Sequence, residues 1–222
     1  MNPTQWTAVD GYIVDHLVRS DDALDAALRD ATAAGLPEIQ VAPNQGKLLH
    51  VLARSINARH ILELGTLGGY STIWLARALP ADGTLITCEV DPKHAAVARA
   101  NLDRAGVSPL VDIRVGRALE SLAQIAAENR PAFDFVFIDA DKVNTAAYFE
   151  WALKLTRPGS MIIVDNAIRK GDVIDANSTD ENVQGMRRYF EKVAHEPRVT
   201  ATAVQTVGSK GYDGLAVAIV NS

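Results

Sequence analysis

The chain reads as an α/β protein, doubly wound around a mostly parallel sheet, with helices before the sheet and an antiparallel hairpin after it. Three observations predict this. Strand-like apolar runs alternate strictly with helix-period segments over residues 61–164, the pattern of βαβ units with right-handed crossovers. The run FDFVFIDADK at residues 133–142 opens with Phe133, Phe135, Val136, Phe137 and Ile138, aromatic and β-branched enough for a strand buried on both faces. It then turns acidic at Asp139 and Asp141 and ends at Lys142, where an open α/β sheet binds its ligands, beyond the carboxyl ends of its strands.

Taken in order, residues 9–34 carry apolar positions at helical spacing (Ile13, Leu17, Leu24, Leu28, Ala31) and predict two helices, the second capped by Ser20 and ended by Gly35 and Pro37. A loop over 39–44 leads into a helix over about 45–56. Strands are expected at 61–64, 85–89, 111–115, 133–139 and 161–164, with helices at 71–78, 93–105, 118–128 and 145–155 between and after them. Pro80, Gly106, Pro109 and Pro158 fall between elements, as breakers should. Residues 167–184 are polar and irregular, and an amphipathic helix with Val183, Phe190 and Val193 follows. Two last strands, 200–207 and 215–220, are joined by the glycine-rich turn GSKGYDG.

The totals narrow the function. At 222 residues the chain is expected to form one domain. With 22 basic against 27 acidic residues, a net charge of −5 and no long basic run, it has no electrostatic footprint for nucleic acid or an anionic membrane, so small molecules are the expected partners. Cys88 is the only cysteine, which leaves no intrachain disulfide to form. No signal-peptide pattern and no span-length apolar run is present, so a cytoplasmic protein is expected.

The chemistry concentrates at strand ends. The first strand runs into ILELGTLGGYST, where Gly65, Gly68 and Gly69 let backbone approach a ligand and the following helix offers amides to an anionic group. The spacing G-x-x-G-G is not the dinucleotide pattern G-x-G-x-x-G, which disfavours a pyrophosphate cradle. Glu63 puts a carboxylate beside the turn, suited to an ammonium group, and Glu89 closes the second strand where ribose hydroxyls are commonly bound. Asp139 at one strand end, with Asp165 and Asn166 at another, form a candidate hard-cation site. The competing readings are helix capping for these three and simple solvation for Lys142. The five histidines lack zinc spacing.

With ELG-x-x-x-GYS, FIDADK, VDN and KGYDG in that order, the chain resembles the class I S-adenosylmethionine-dependent O-methyltransferases. More narrowly it is similar to their cation-dependent catechol and caffeoyl-coenzyme A group, over residues 39–220. The resemblance implies a Rossmann-like methyltransferase sheet, with residues 1–57 as a helical cap serving substrate and dimer contacts and 58–222 as the cofactor-binding core. It implies that Val41, Glu63, Gly65, Tyr70 and Ser71 hold the methionine end of S-adenosylmethionine, Glu89 its ribose and Ala118 its adenine, with Asp141 nearby. It further implies that Asp139, Asp165 and Asn166 bind Mg²⁺ (or Mn²⁺ or Ca²⁺), that Lys142 is the general base, and that Asp213 approaches the substrate. The implied reaction is methyl transfer to a hydroxyl of a vicinal dihydroxy aromatic, by a homodimer. Residues 167–171 do not reproduce the plant enzymes' substrate loop. A nicotinamide-dependent oxidoreductase and a non-catalytic cofactor-binding protein are the alternatives. A nucleobase N-methyltransferase would carry Asn/Asp-Pro-Pro-aromatic where DADK stands.

Overall fold

A computed structural model describes residues 2–221. Three helices come first: α1 (Pro3–Leu17), α2 (Asp22–Ala33) and α3 (Pro43–Ser55). The alternating unit follows as β1 (His60–Leu64), α4 (Tyr70–Ala76), β2 (Thr84–Glu89), α5 (Pro92–Arg104), β3 (Val111–Val115), α6 (Ala118–Ala127), β4 (Phe133–Ile138), α7 (Thr145–Leu155) and β5 (Thr156–Val164). The chain closes with α8 (Glu181–Ala194) and the hairpin β6 (Val199–Gly208) and β7 (Gly211–Val220).

All seven strands lie in one sheet, ordered β3-β2-β1-β4-β5-β7-β6. The first five are mutually parallel, and β7 runs antiparallel to both β5 and β6. Each strand's alternation divides its side chains between two cores. Phe135, Phe137 and Ile163 face α2 to α5, whereas Val136, Ile138 and Ile162 face α6 to α8. Burying an aromatic such as Phe135 or Phe137 contributes about 1.5 to 3 kcal/mol, so β4 anchors both layers. The one acid inside β4, Asp134, is satisfied: its carboxylate accepts the amides of Arg59 (2.8 Å) and His60 (3.0 Å) and the guanidinium of Arg157 (2.5 Å).

Several boundaries differ from the sequence expectation, each for a local reason. α1 begins at Pro3, capped by Asn2, because proline suits a first turn whose amide has no partner. Asp21, not Ser20, caps α2 by accepting the amides of Ala23 and Leu24; the Ser20 hydroxyl donates to Asp25 instead. Pro158 lies inside β5 rather than ahead of it, in the exposed first residues where the pairing with β4 shifts register. The glycine-rich turn shrinks to Ser209 and Lys210, since Tyr212 and Asp213 already pair with Val207 and Thr206. The irregular stretch holds a short 3-10 turn at Arg169–Ile174 and ends at Glu181.

The sheet reverses its winding between β1 and β4, where ligands bind in such folds. Gly65 leaves β1 there at φ 99°, and a Cβ at that position would overlap the carbonyl oxygen of Asp139. Both the left-handed backbone and the missing side chain are required.

Candidate active site

A cavity of about 610 Å³ opens at this switch point, within the range of small-molecule sites. It is walled by the β1–α4 turn, the ends of β2 and β4, the start of α6, the loop after β5 and residues 39–41 ahead of α3. Val41, Gly65, Tyr70, Ser71, Glu89, Ala118, Asp139, Asp141, Lys142 and Asn166 all line it. Glu63, Asp165 and Asp213 do not.

Glu63 stands one layer behind the wall. It is 0% exposed, and its carboxyl group accepts the hydroxyls of Ser71 (2.7 Å), Thr72 (2.5 Å) and Thr87 (2.8 Å). Burial pushes its pKa up to about 7, the three hydroxyls oppose the rise, and the charge of Asp139 adds to it. Glu63 therefore fixes Ser71 and the turn rather than presenting a bare carboxylate to a ligand. Glu89 braces the turn from the other side, its Oε2 accepting the amides of Thr66 (3.2 Å) and Leu67 (2.8 Å). Those two amides are thus not free for an anionic group, while Gly68 and Tyr70 keep theirs unclaimed by the backbone. Asn101, buried on α5, holds the carbonyl of Gly68 at 2.9 Å.

At the β4 and β5 ends the strand ladder runs one residue further. The amide of Asp139 donates to Leu64 (2.8 Å) and that of Asp165 to Ile138 (3.0 Å), which sets the two acids on adjacent strand ends. Asp165 is only 6% exposed; burial first, and then the charge of Asp139, raise its pKa, with Lys142 opposing. Lys142 is only 7% exposed, and its Nζ lies 2.9 Å from Asp139 Oδ1. The solvated-lysine alternative does not describe it. Neither Asp139 nor Asp165 accepts a helix amide. Asp141 braces the entry to α7 instead, taking the amide of Asn144 (3.1 Å), the residue before the helix, and the hydroxyl of Tyr148. Asn166 follows at φ 53°, a left-handed conformation that asparagine tolerates.

The donor set of two carboxylates and one amide, one carboxylate buried and the other paired with an ammonium, fits a hard divalent cation held by oxygen. Among the described residues no three histidine, cysteine, aspartate or glutamate side chains are placed to hold a metal ion together, and the third member of this donor set is the amide of Asn166. Asp213 instead organises the neighbouring loop: its Oδ1 accepts the amides of Ile168 (2.9 Å) and Arg169 (3.0 Å).

Two contacts escaped the sequence reading. Gln45, at the start of α3, donates from Nε2 to Asp165 Oδ2 at 2.6 Å. Gly185 lets α8 close on Lys142, whose carbonyl would overlap a Cβ there. An isolated glycine inside a helical pattern, Gly46 beside Gln45 and Gly185 in α8, was the available signal of close packing.

The comparisons with known proteins agree with this geometry. The O-methyltransferase family profile matches residues 16–218. The chain belongs to that family. The enzyme is an S-adenosylmethionine-dependent O-methyltransferase, and the oxidoreductase and binding-protein alternatives fall away. It is 54% identical to a catechol O-methyltransferase of Niastella koreensis, over 99% of this chain and 100% of that one. It is 50% identical to a catechol O-methyltransferase of Mycobacterium tuberculosis, over 96% of this chain and 94% of that one. The fold superposes with a TM-score of 0.98 on an O-methyltransferase from Bacillus cereus in complex with SAH, 55% identical over 99% of this chain and 100% of that one. Among the described residues, no helix of the enzyme is long and apolar enough to cross a membrane.

Proposed function

We propose that the enzyme transfers the methyl group of S-adenosylmethionine to one hydroxyl of a vicinal dihydroxy aromatic, with a divalent cation at Asp139, Asp165 and Asn166. The single observation that carries this is the pairing of buried Lys142 with Asp139 in the cavity wall, with buried Asp165 on the adjacent strand end behind them. The names of the 50% and 54% identical relatives point to the same acceptor class.

Val41, Gly65, Tyr70 and Ser71 are assigned to the methionine end of the cofactor, Glu89 to its ribose and Ala118 to its adenine, with Asp141 alongside. Mg²⁺, or Mn²⁺ or Ca²⁺ in its place, would supply positive charge that favours an ionised acceptor oxygen and leaves room for two adjacent oxygens. Lys142, held beside Asp139, would take the proton of the attacking hydroxyl when it is the uncharged amine, becoming the ammonium that Asp139 pairs with. Gln45 keeps Asp165 oriented from the α3 side. The remaining work of the walls is to align acceptor and donor and to exclude water.

A homodimer is part of the proposal. Tyr12 and Leu17 on α1, Leu48 and Val51 on α3 and Val204 and Val207 on β6 are exposed apolar side chains, and α1 touches both α3 and β6, so one surface could bury them against a second copy. Sedimentation at micromolar concentration tests this, and a monomeric mass refutes it. For the reaction, a panel of catechols and matched monohydroxy aromatics should be assayed with Mg²⁺. Turnover confined to the catechols is expected; equal turnover of isolated phenols would remove the basis for the chelating corner.

A further inference from the structure

Arg169 is a charged wall residue to which the site so far has given no task. Four cationic or protonatable side chains line the cavity: His94, Arg117, Lys142 and Arg169. His94 lies 3.5 Å from Glu89 and 3.7 Å from Asp91, Arg117 lies 3.7 Å from Glu120, and Lys142 is paired with Asp139. Arg169 alone of the four has no carboxylate at ion-pair distance among the described residues. Its Nε is buried and hydrogen-bonded to nothing. The nearby Asp180 senses its charge but is occupied with the amide and side chain of Asn182. The acids that line the cavity are also engaged: Glu89 with the β1–α4 turn, Asp139 with Lys142, and Asp141 with Asn144 and Tyr148.

The backbone around Arg169 is built to hold this position. Arg169 and Lys170 both adopt left-handed φ, 52° and 58°, which a non-glycine residue keeps only when its surroundings impose it. Here β7 imposes it: Gly214 accepts the amide of Ala167 at 2.9 Å, and Asp213 accepts those of Ile168 and Arg169. Arg169 shares a loop with Asn166, three residues upstream, and both line the cavity, which puts Arg169 on the same wall as the candidate cation ligand. The terminal nitrogens of Arg169 make no hydrogen bond or ion pair among the described residues, and a guanidinium so placed in a cavity wall is matched in shape and charge by a carboxylate, which it can bind bidentately.

We infer that Arg169 reads a carboxylate on the methyl acceptor, so that the enzyme prefers catechols carrying an anionic substituent over those carrying an ammonium group. This rests on the catechol reading above and names the class within it. The overall charge of −5 would by itself favour cationic catechols, so an anionic preference needs a local cause.

The test uses three 3,4-dihydroxy aromatics that differ in one substituent: carboxylate, primary carboxamide and aminomethyl. kcat/KM is measured for each with Mg²⁺ and S-adenosylmethionine, in the wild type, Arg169→Met and Arg169→Lys. Comparing ratios within each protein cancels losses from folding, and comparing those ratios between proteins cancels the substituents' electronic effects. The carboxylate-to-carboxamide ratio should fall at least about tenfold in Arg169→Met, equivalent to about 1.4 kcal/mol, mainly through KM, with partial recovery in Arg169→Lys. An unchanged ratio overturns the inference. If Arg169→Met is inactive on all three, a wild type that favours the aminomethyl compound, or is indifferent between it and the carboxylate, overturns it equally. A wild type that turns over none of the three, the neutral carboxamide included, refutes the catechol reading itself, a different failure.

Discussion

Replacing Glu63 with glutamine should make the fold less sensitive to alkali. The carboxyl group is fully buried, and its pKa is raised from 4.5 to about 7, burial being the largest cause. An acid whose folded pKa lies above its unfolded value binds more protons folded than unfolded between the two. Stability therefore falls as pH rises from about 4.5 to about 7 and is level beyond that. At 1.36 kcal/mol per unit, the shift is worth about 3 kcal/mol, most of it lost between pH 5 and pH 8. Glutamine keeps an oxygen to accept from Ser71 and Thr72 and does not titrate. Urea unfolding in EDTA at a series of pH values, for wild type and Glu63→Gln, measures the difference directly. The wild type should lose about 2 to 3 kcal/mol more than the variant between pH 5 and pH 8. Parallel curves, differing in slope by less than about 0.5 kcal/mol over that range, would show that Glu63 is ionised in the folded protein throughout, and the reasoning from desolvation would fail.

Asp165→Ala should lose methyl transfer by about two orders of magnitude or more, since charge stabilisation and acceptor orientation leave together. Its calorimetric affinity for S-adenosylhomocysteine should stay near wild type, and EDTA should reproduce the defect in the wild type; full activity in EDTA excludes the cation. Lys142→Ala should lower kcat in a way that recovers as pH rises and the acceptor ionises unaided, so a pH-independent loss in the rate profile argues for a structural role only. Gly65→Ala places a methyl group against the Asp139 carbonyl at φ 99°, and should cost more than the roughly 1 to 2 kcal/mol of a left-handed alanine alone. Chemical denaturation reads that loss, and a wild-type midpoint would contradict the close approach of β1 and β4. Gln45→Leu should weaken activity through Asp165, leaving the thermal midpoint within a few degrees; an unchanged rate would make the 2.6 Å contact incidental.

What could be read from the sequence was whatever depends on nearest neighbours along the chain. The β4 run announced itself because a parallel strand buried on both faces has no polar alternation, and FIDADK marked its end by abrupt change of chemistry. The glycine turn was equally legible. What could not be read were partners brought from far away. Nothing local says that Gln45 meets Asp165, 120 residues on, or that Glu63 is consumed by three hydroxyls from α4 and β2. Asp213 was read as part of the glycine-rich turn GSKGYDG and expected, from the resemblance, to approach the substrate. Pairing with β6 drew most of those residues into a strand and turned the carboxylate toward the amides of Ile168 and Arg169. Asp10 went unnoticed for the same reason: nothing in its own stretch of α1, AVDGYI, names a partner, yet it is buried, accepting Asn44 Nδ2 at 2.9 Å and the amide of Ser209 at 2.7 Å.

That last contact constrains how such enzymes can be recombined. Asp10 joins a residue of α1 to one 199 positions away at the hairpin tip, and through Asn44 to the helix that carries Gln45. Gly208 leaves no room for a side chain against the same carboxylate. A chimera that takes its first three helices from one parent and its hairpin from another would break this three-way latch wherever the parents differ. The break would reach Asp165 through α3. Breakpoints that exchange acceptor preference cleanly therefore have to be placed in pairs, so that the two distant segments travel together.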